Sequence, residues 1–396
     1  MPNPQHHRLT KPIEPATRMR AIKPFEAVEV FKRTTALQAK GHDIISLGIG
    51  EPDFTAPAQV VETLQRAAQA GLSAYTPPSG LTPLREAIAL YYQQNLACSP
   101  DPKRIVITSG ASGALLLASL ALINQGDEVL LPDPSYPANQ NFILSAGGVP
   151  KQIPTTAENR YQPTAETVSK HWSPKTRGLF LASPSNPTGT SIDKDVLRGV
   201  IEEVRSRNGF ILMDEIYQGL YYDEAPQSAL AIDDDVIIIN SFSKYFHMTG
   251  WRLGWLIVPE SLLETVDRLA ASLAICAPSL AQHAAITCFE PDVLHIYEAR
   301  RQSFKQRRDY LAPALQKLGL DIPAYPDGAF YIFADIQKHS HDSQQFAQKM
   351  LEEAGVAAIP GADFGQQHAR TSLRFAYTIG LDRLQEAVQR LEKFLA

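Results

Sequence analysis

The chain has 396 residues, 44% of them apolar and 20% charged, with a formal charge of −5. Such a length exceeds what one hydrophobic core organises and points to about two to three domains. The composition excludes disorder over most of the chain, and the acidic balance excludes a broad electropositive face for nucleic acid.

No run of 18 uncharged apolar residues exists, which argues against a membrane-spanning helix. Cys98, Cys276 and Cys288 are scattered, with no CxxC and no HExxH elsewhere. That usage argues against a metal site and for a reducing compartment, read here as the cytoplasm. The first residues carry His6-His7 in a polar tail and the basic side chains Arg8, Lys11, Arg18, Arg20 and Lys23. Pro2, Pro4, Pro12, Pro15 and Pro24 oppose the continuous amphipathic helix of a targeting segment.

Residues 104–108 (RIVIT) read as a strand and are followed by a helix over 113–123. After the Gly126-Asp127 turn, residues 128–131 form the next strand. Further unbroken apolar runs lie at 178–182 (GLFLA), 209–213 (GFILM) and 236–240 (VIIIN), with a helical pattern at 193–207 between the first two. Unalternating strands separated by helices predict a largely parallel sheet with both faces covered. Residues 253–258 (LGWLIV) follow too closely for a crossover helix, which favours an antiparallel strand. Beyond about residue 280 the pattern becomes α+β. It has a long charged helix over 297–318 containing Pro313, strands at 329–334 and 372–377, a helix around 344–353, and a last helix with Leu381, Leu384, Val388, Leu391 and Leu395 on one stripe. The chain is therefore divided into an N-terminal segment (1–55), a large domain (56–285) and a small domain (286–396).

The chemistry-bearing residues follow the ends of these strands. Thr108 to Gly113 is a small-residue segment opening a helix, suited to an anion on backbone N–H groups and equally to a plain helix cap. Asn186 lies in Ser185-Asn186-Pro187-Thr188-Gly189, which also has the composition of a simple turn. Asp214 follows four apolar residues, so its carboxylate needs a buried partner: a protonated heterocyclic nitrogen, an internal cation or a helix N-terminus. Lys244, in Ser241-Phe242-Ser243-Lys244, is either a surface charge or an amine whose pKa desolvation lowers into nucleophilic range. Arg252 follows eight residues later in Gly250-Trp251-Arg252-Leu253-Gly254.

In this order the set resembles the class I/II aminotransferases, pyridoxal 5′-phosphate enzymes of fold type I. The resemblance runs from Gly50-Glu51-Pro52-Asp53-Phe54, through Tyr75-Thr76-Pro77-Pro78-Ser79-Gly80 and Asp214-Glu215-Ile216-Tyr217, to Arg374. It implies an α/β fold with a mostly parallel seven-stranded sheet between helices, plus a smaller α+β domain. Lys244 then resembles the lysine that carries the cofactor and moves the proton. Asp214 resembles the partner of the ring nitrogen, and Tyr217 and Asn186 the pair on the 3′-oxygen. Gly110, Ala111, Ser112, Ser241, Ser243 and Arg252 resemble the phosphate cup, and Tyr136 the residue stacked on the ring. Tyr75 is similar to the tyrosine lent to the neighbouring subunit of a homodimer. Arg374 is similar to the α-carboxylate fork, and Gly50 to the position where the N-terminal segment closes over substrate.

The implied reaction moves an amino group from an L-amino acid to a 2-oxo acid, in amino acid metabolism of a biosynthetic kind. Eliminating relatives of the C–S lyase and aminocyclopropane-carboxylate-synthase type share these residues and form the second reading. A ligand-sensing regulator would place a DNA-binding domain ahead of the fold, for which Gly50 to Phe54 comes too early. The nest has Ala111-Ser112-Gly113 where one dicarboxylate-specific branch has a lysine, so neutral donors are expected. Along 21–31, Ile22 or Phe25 is expected to line an apolar pocket wall, while Val28 and Phe31 are expected in the core.

Overall fold

The computed structural model describes residues 13–224 and 227–396; His6-His7, Arg8, Lys11 and the first three prolines of the tail lie outside them. The chain opens with the helices α1 (Glu26–Gln38), α2 (Ala58–Gln69), α3 (Thr82–Asn95) and α4 (Gly110–Leu122), the short strand β1 (Ile45–Ser46) lying between α1 and α2. Seven strands then build the main sheet: β2 (Ile105–Thr108), β3 (Glu128–Asp133), β4 (Val149–Pro154), β5 (Thr176–Ala182), β6 (Phe210–Asp214), β7 (Ile237–Ser241) and β8 (Gly254–Ile257). Their order is β2-β8-β7-β6-β5-β3-β4. All pairings are parallel except those of β8, which runs antiparallel to both β2 and β7, as the short connection from β7 requires.

The unbroken apolar runs exist because both faces are buried. Leu179, Leu181, Ile211, Met213 and Ile238 enter one core cluster, whereas Phe180, Leu212, Ile237 and Ile239 enter the other. The period-2 pleat thus sends consecutive residues into two cores, so no polar position remains. One strand, β4, was not legible in the sequence. Its VPKQIP carries two prolines and two polar residues, tolerated because it is the sheet's edge.

Toward the C-terminus, β9 (Tyr331–Asp335), β11 (Ile359–Pro360) and β12 (Ser372–Ala376) form an antiparallel sheet ordered β11-β12-β9. The two-residue β10 (Val356–Ala357) pairs in parallel with β1, which stitches the N-terminal segment to this part. The long helix runs over Pro291–Lys317, beginning six residues before the expected start because Pro291 suits its first turn; Pro313 lies inside it. From it Arg307 grips Asp53 with two 2.8 Å bonds. No helix among the described residues is long and apolar enough to cross a membrane.

Candidate active site

Parallel strands deliver their C-terminal ends to one edge of a sheet, and ligands collect there. At that edge lies a cavity of about 510 Å³, lined by Gly50, Ala111, Ser112, Tyr136, Asn186, Asp214, Tyr217, Lys244 and Arg374 from the sequence-derived set. Ala111 and Ser112 open α4 after β2. Tyr136 follows β3, Asn186 follows β5, Asp214 ends β6, and Lys244 follows β7.

Because β8 is antiparallel, its N-terminal end reaches the same edge, where Gly254 pairs with both Ser241 and Thr108. This brings Arg252 beside α4. Gly110 has φ +72°, and a Cβ on it would come within 2.6 Å of Arg252 Nη2. The positive φ favours glycine there, and a Cβ would also require the Arg252 guanidinium to shift. Ser241 Oγ donates to Ser243 Oγ at 2.9 Å, and Arg252 Nη1 to the Thr249 carbonyl at 2.9 Å. Tyr75 is elsewhere: it is 79% exposed and does not line this cavity.

Lys244 Nζ donates to the Gly50 carbonyl at 2.7 Å and lies 5.7 Å from the Phe330 ring centre. By surface area Lys244 is only partly buried, since it faces the cavity, yet enclosure by protein lowers its pKa to about 8. Asp214 is 6% exposed and, among the described residues, accepts one hydrogen bond, from the Ile216 N–H at 3.0 Å. Burial therefore raises it to about 7, partly offset by that bond and by Lys244. Among the described residues it forms no ion pair, and Lys244 acts on it only from a distance. Burial likewise lifts Tyr136 to about 12.

Arg374 reaches in from β12. Its Nη1 donates to Asn186 Oδ1 at 2.8 Å and its Nη2 to the Gly48 carbonyl at 2.6 Å, while Nε is buried without a partner. Its guanidinium lies 4.4 Å from the centre of the Tyr331 ring. Tyr331 was not singled out in the sequence, where it sits in the apolar run AFYIFA and looks like strand core. A hydroxyl inside a run otherwise free of polar atoms was the one available signal.

The wall from α1 departs from expectation. Phe25, Val28 and Phe31 all line the cavity, whereas Ile22 does not. Val28 and Phe31 are 46% and 51% exposed, so neither is core. Their spacing of three places them on one stripe of α1, turned toward the cavity rather than into the protein.

The donor set fits pyridoxal 5′-phosphate. It offers a buried carboxylate that forms no ion pair among the described residues, an amine of lowered pKa, and hydroxyls and a guanidinium gathered around a helix N-terminus whose glycine admits close approach.

Residues 42–391 match the family model for aminotransferase class I and II. The valine–pyruvate aminotransferase of Mycobacterium tuberculosis is 35% identical over 94% of this chain and 97% of its own. The aspartate aminotransferase of Thermotoga maritima is 34% identical over 93% and 96%. A crystal structure of an aminotransferase from M. tuberculosis superposes with a TM-score of 0.93 at 35% identity, covering 97% of this chain and 99% of that one. These relatives carry transaminase names and supply nothing in favour of an eliminating enzyme. The chain belongs to the class I and II aminotransferases of fold type I, and as such is a pyridoxal-phosphate-dependent enzyme that moves an amino group from an amino acid to a 2-oxo acid.

Proposed function

We propose that the preferred amino donors are L-amino acids with uncharged, mostly apolar side chains. The observation that carries this is the Phe25, Val28 and Phe31 stripe facing the cavity. Among the described lining residues the cations are Lys244 and Arg374, and the acidic groups are Asp214 and Glu51. A dicarboxylate donor would place its distal charge against apolar side chains and near Glu51, an arrangement that disfavours it. The M. tuberculosis relative named for valine and pyruvate agrees with this reading, while the T. maritima relative named for aspartate marks the alternative.

In this reading Lys244 would hold the cofactor through its amine. Asp214 would keep a proton on the ring nitrogen, and Tyr217 and Asn186 would contact the 3′-oxygen. Tyr136 would cover the ring, while Gly110, Ala111, Ser112, Ser241, Ser243 and Arg252 would take the phosphate. When bound, the cofactor supplies an electron sink and the carbonyl carbon that accepts nitrogen. Arg374 would bind the donor's α-carboxylate as a fork, its unpaired Nε and its Nη groups already aligned by Asn186, Gly48 and the Tyr331 ring. The freed amine of Lys244, its pKa lowered by burial, would take the proton from the donor's Cα and hand it, within the same half-reaction, to the cofactor carbon that accepts the nitrogen; the second half-reaction would run that transfer in reverse.

The chain is further proposed to work as a cytoplasmic homodimer in amino acid biosynthesis, with Tyr75 given to the neighbouring site. Support comes from its exposure, from the exposed apolar Leu72, Leu273 and Ile275, and from three free cysteines. The division at 55 and 285 is retained as a proposal, supported by the seven-stranded sheet lying within it and the three-stranded sheet beyond. A kcat/KM panel over alanine, valine, leucine, phenylalanine, glutamate and aspartate tests the donor class. Aspartate exceeding every neutral donor by about a hundredfold, more than an apolar pocket gives, would overturn it.

A further inference from the structure

Helix α1 begins without a local cap. Its N-cap is Phe25, which has no side-chain acceptor for the first N–H groups. Those groups are instead satisfied from the far end of the chain. Glu26 N–H donates to Asp363 Oδ1 at 2.9 Å and Ala27 N–H to Asp363 Oδ2 at 3.4 Å. Thr34 is the helix's one fully buried residue among those described, and Ala27, Val30 and Leu37 pack only in part against two small clusters, so the cap matters more than usual.

The turn carrying Asp363, Gly361–Asp363, is itself held firmly. Ser135 N–H donates to the Phe364 carbonyl at 2.9 Å, and Asp133 Oδ2 accepts Gln366 N–H at 2.9 Å and Gln367 N–H at 3.1 Å. Asp133 is the last residue of β3. A rigid strand end thus fixes the turn, the turn fixes the first residues of α1, and α1 presents its stripe to the cavity.

We infer that Asp363 is a positioning residue for donor selection, which by capping α1 sets the distance between the Phe25, Val28 and Phe31 wall and the donor's side chain. The inference rests on the reading of this cavity as the donor pocket.

The holoenzyme variant Asp363→Ala tests it. Loss of a cap should speed hydrogen exchange of the α1 amides by about threefold to thirtyfold. The ratio of kcat/KM for leucine to that for alanine should fall severalfold, because alanine's methyl does not reach the wall. Asp363→Asn keeps an acceptor oxygen and should restore most of the ratio and of the protection; it serves alone if the alanine variant fails to fold. Asp363 also lies near Arg374, so a loss equal for all donors would mean an electrostatic effect on the α-carboxylate and would overturn the inference. An unchanged ratio despite faster exchange would overturn it as well. Phe25→Ala separates the two layers. If it leaves the leucine-to-alanine ratio unchanged, the donor-pocket reading fails. If it lowers the ratio and Asp363→Ala does not, the positioning role alone fails.

Discussion

The hydroxyls of Tyr217 and Tyr331 lie 2.9 Å apart in the buried floor of the cavity, and the same Tyr331 ring carries the Arg374 guanidinium on its face. One side chain therefore touches both the group proposed for the cofactor's 3′-oxygen and the group proposed for the donor's carboxylate. Gly50 admits it: a Cβ there would overlap the Tyr331 hydroxyl.

Tyr331→Phe separates these contacts. It keeps the ring under Arg374 and removes one buried hydrogen bond, which should lower kcat/KM about twofold to tenfold. Tyr331→Ala also removes the ring and should raise the donor KM further. A double-mutant cycle with Tyr217→Phe should give a coupling of about 0.5 kcal/mol or more. Strict additivity would show that the hydroxyl contact is idle.

Lys244→Ala should retain the fold and lose multiple turnover, because no other amine lines the described cavity. Borohydride reduction of the wild-type holoenzyme should fix the cofactor on Lys244. A peptide map placing the adduct on another lysine would contradict the proposed role.

Asp214 gives a pH-dependent prediction. Burial raises its pKa to about 7, so between about pH 4 and pH 7 the cofactor-free folded state holds a proton that the unfolded chain has released. Its contribution to stability is therefore present at low pH and lost as pH rises to 7. Cofactor-free Asp214→Asn should match the wild type near pH 4 and melt at a higher temperature at pH 8, the gap opening across that window. With cofactor bound, the same variant should lose orders of magnitude in rate, since the ring nitrogen loses its anionic partner. Calorimetry showing no gap at pH 8 would mean that Asp214 is ionised at no cost.

Most of the residues proposed for the phosphate and the cofactor could be located from sequence at one edge of the sheet, for a physical reason. Gly110, Asn186, Asp214 and Lys244 each sit just past or at the end of an apolar run, so strand position and chemical type coincide. The donor side was less legible. Arg374 was found through resemblance, but Tyr331 is hidden in a strand whose other residues are core. Val28 and Phe31 were assigned to the core because an apolar stripe on a helix looks the same whether it faces protein or an open cavity. The Asp363 cap joins residues 337 positions apart, and no local pattern announces such a bond. Edge strand β4 was missed because its prolines and polar residues conceal a pairing that only the neighbouring β3 provides.

Tyr75 yields a prediction about assembly. Its ring is 79% exposed and does not line the cavity of its own chain. Tyr75→Phe should weaken cofactor affinity by about tenfold to a hundredfold, as loss of one hydrogen bond to a charged group would. Mixing Tyr75→Phe with Lys244→Ala subunits should give hybrids carrying one site with both native residues. Light scattering that finds a fully active monomer would contradict the shared site.

The proposed donor pocket should be inverted by one charge. Val28 lies mid-stripe on α1, lines the cavity and is 46% exposed, so a long side chain there has room to turn without displacing core. Val28→Arg places a guanidinium on the wall proposed to face the donor's side chain, opposite the Arg374 fork. Leucine should lose apolar contact worth about 1–3 kcal/mol, whereas aspartate gains a counter-charge for its distal carboxylate, worth about 1 kcal/mol or more in a half-solvated setting. These effects act in opposite directions, so the aspartate-to-leucine ratio of kcat/KM should rise by about thirtyfold to several hundredfold. Unfolding and loss of cofactor would depress both donors together and leave the ratio in place, which makes the ratio the quantity to measure. A ratio that stays at the wild-type value in a stable, cofactor-loaded Val28→Arg enzyme would mean that the donor's side chain points away from α1, and would move the search for the selectivity wall to the Tyr136 side of the cavity.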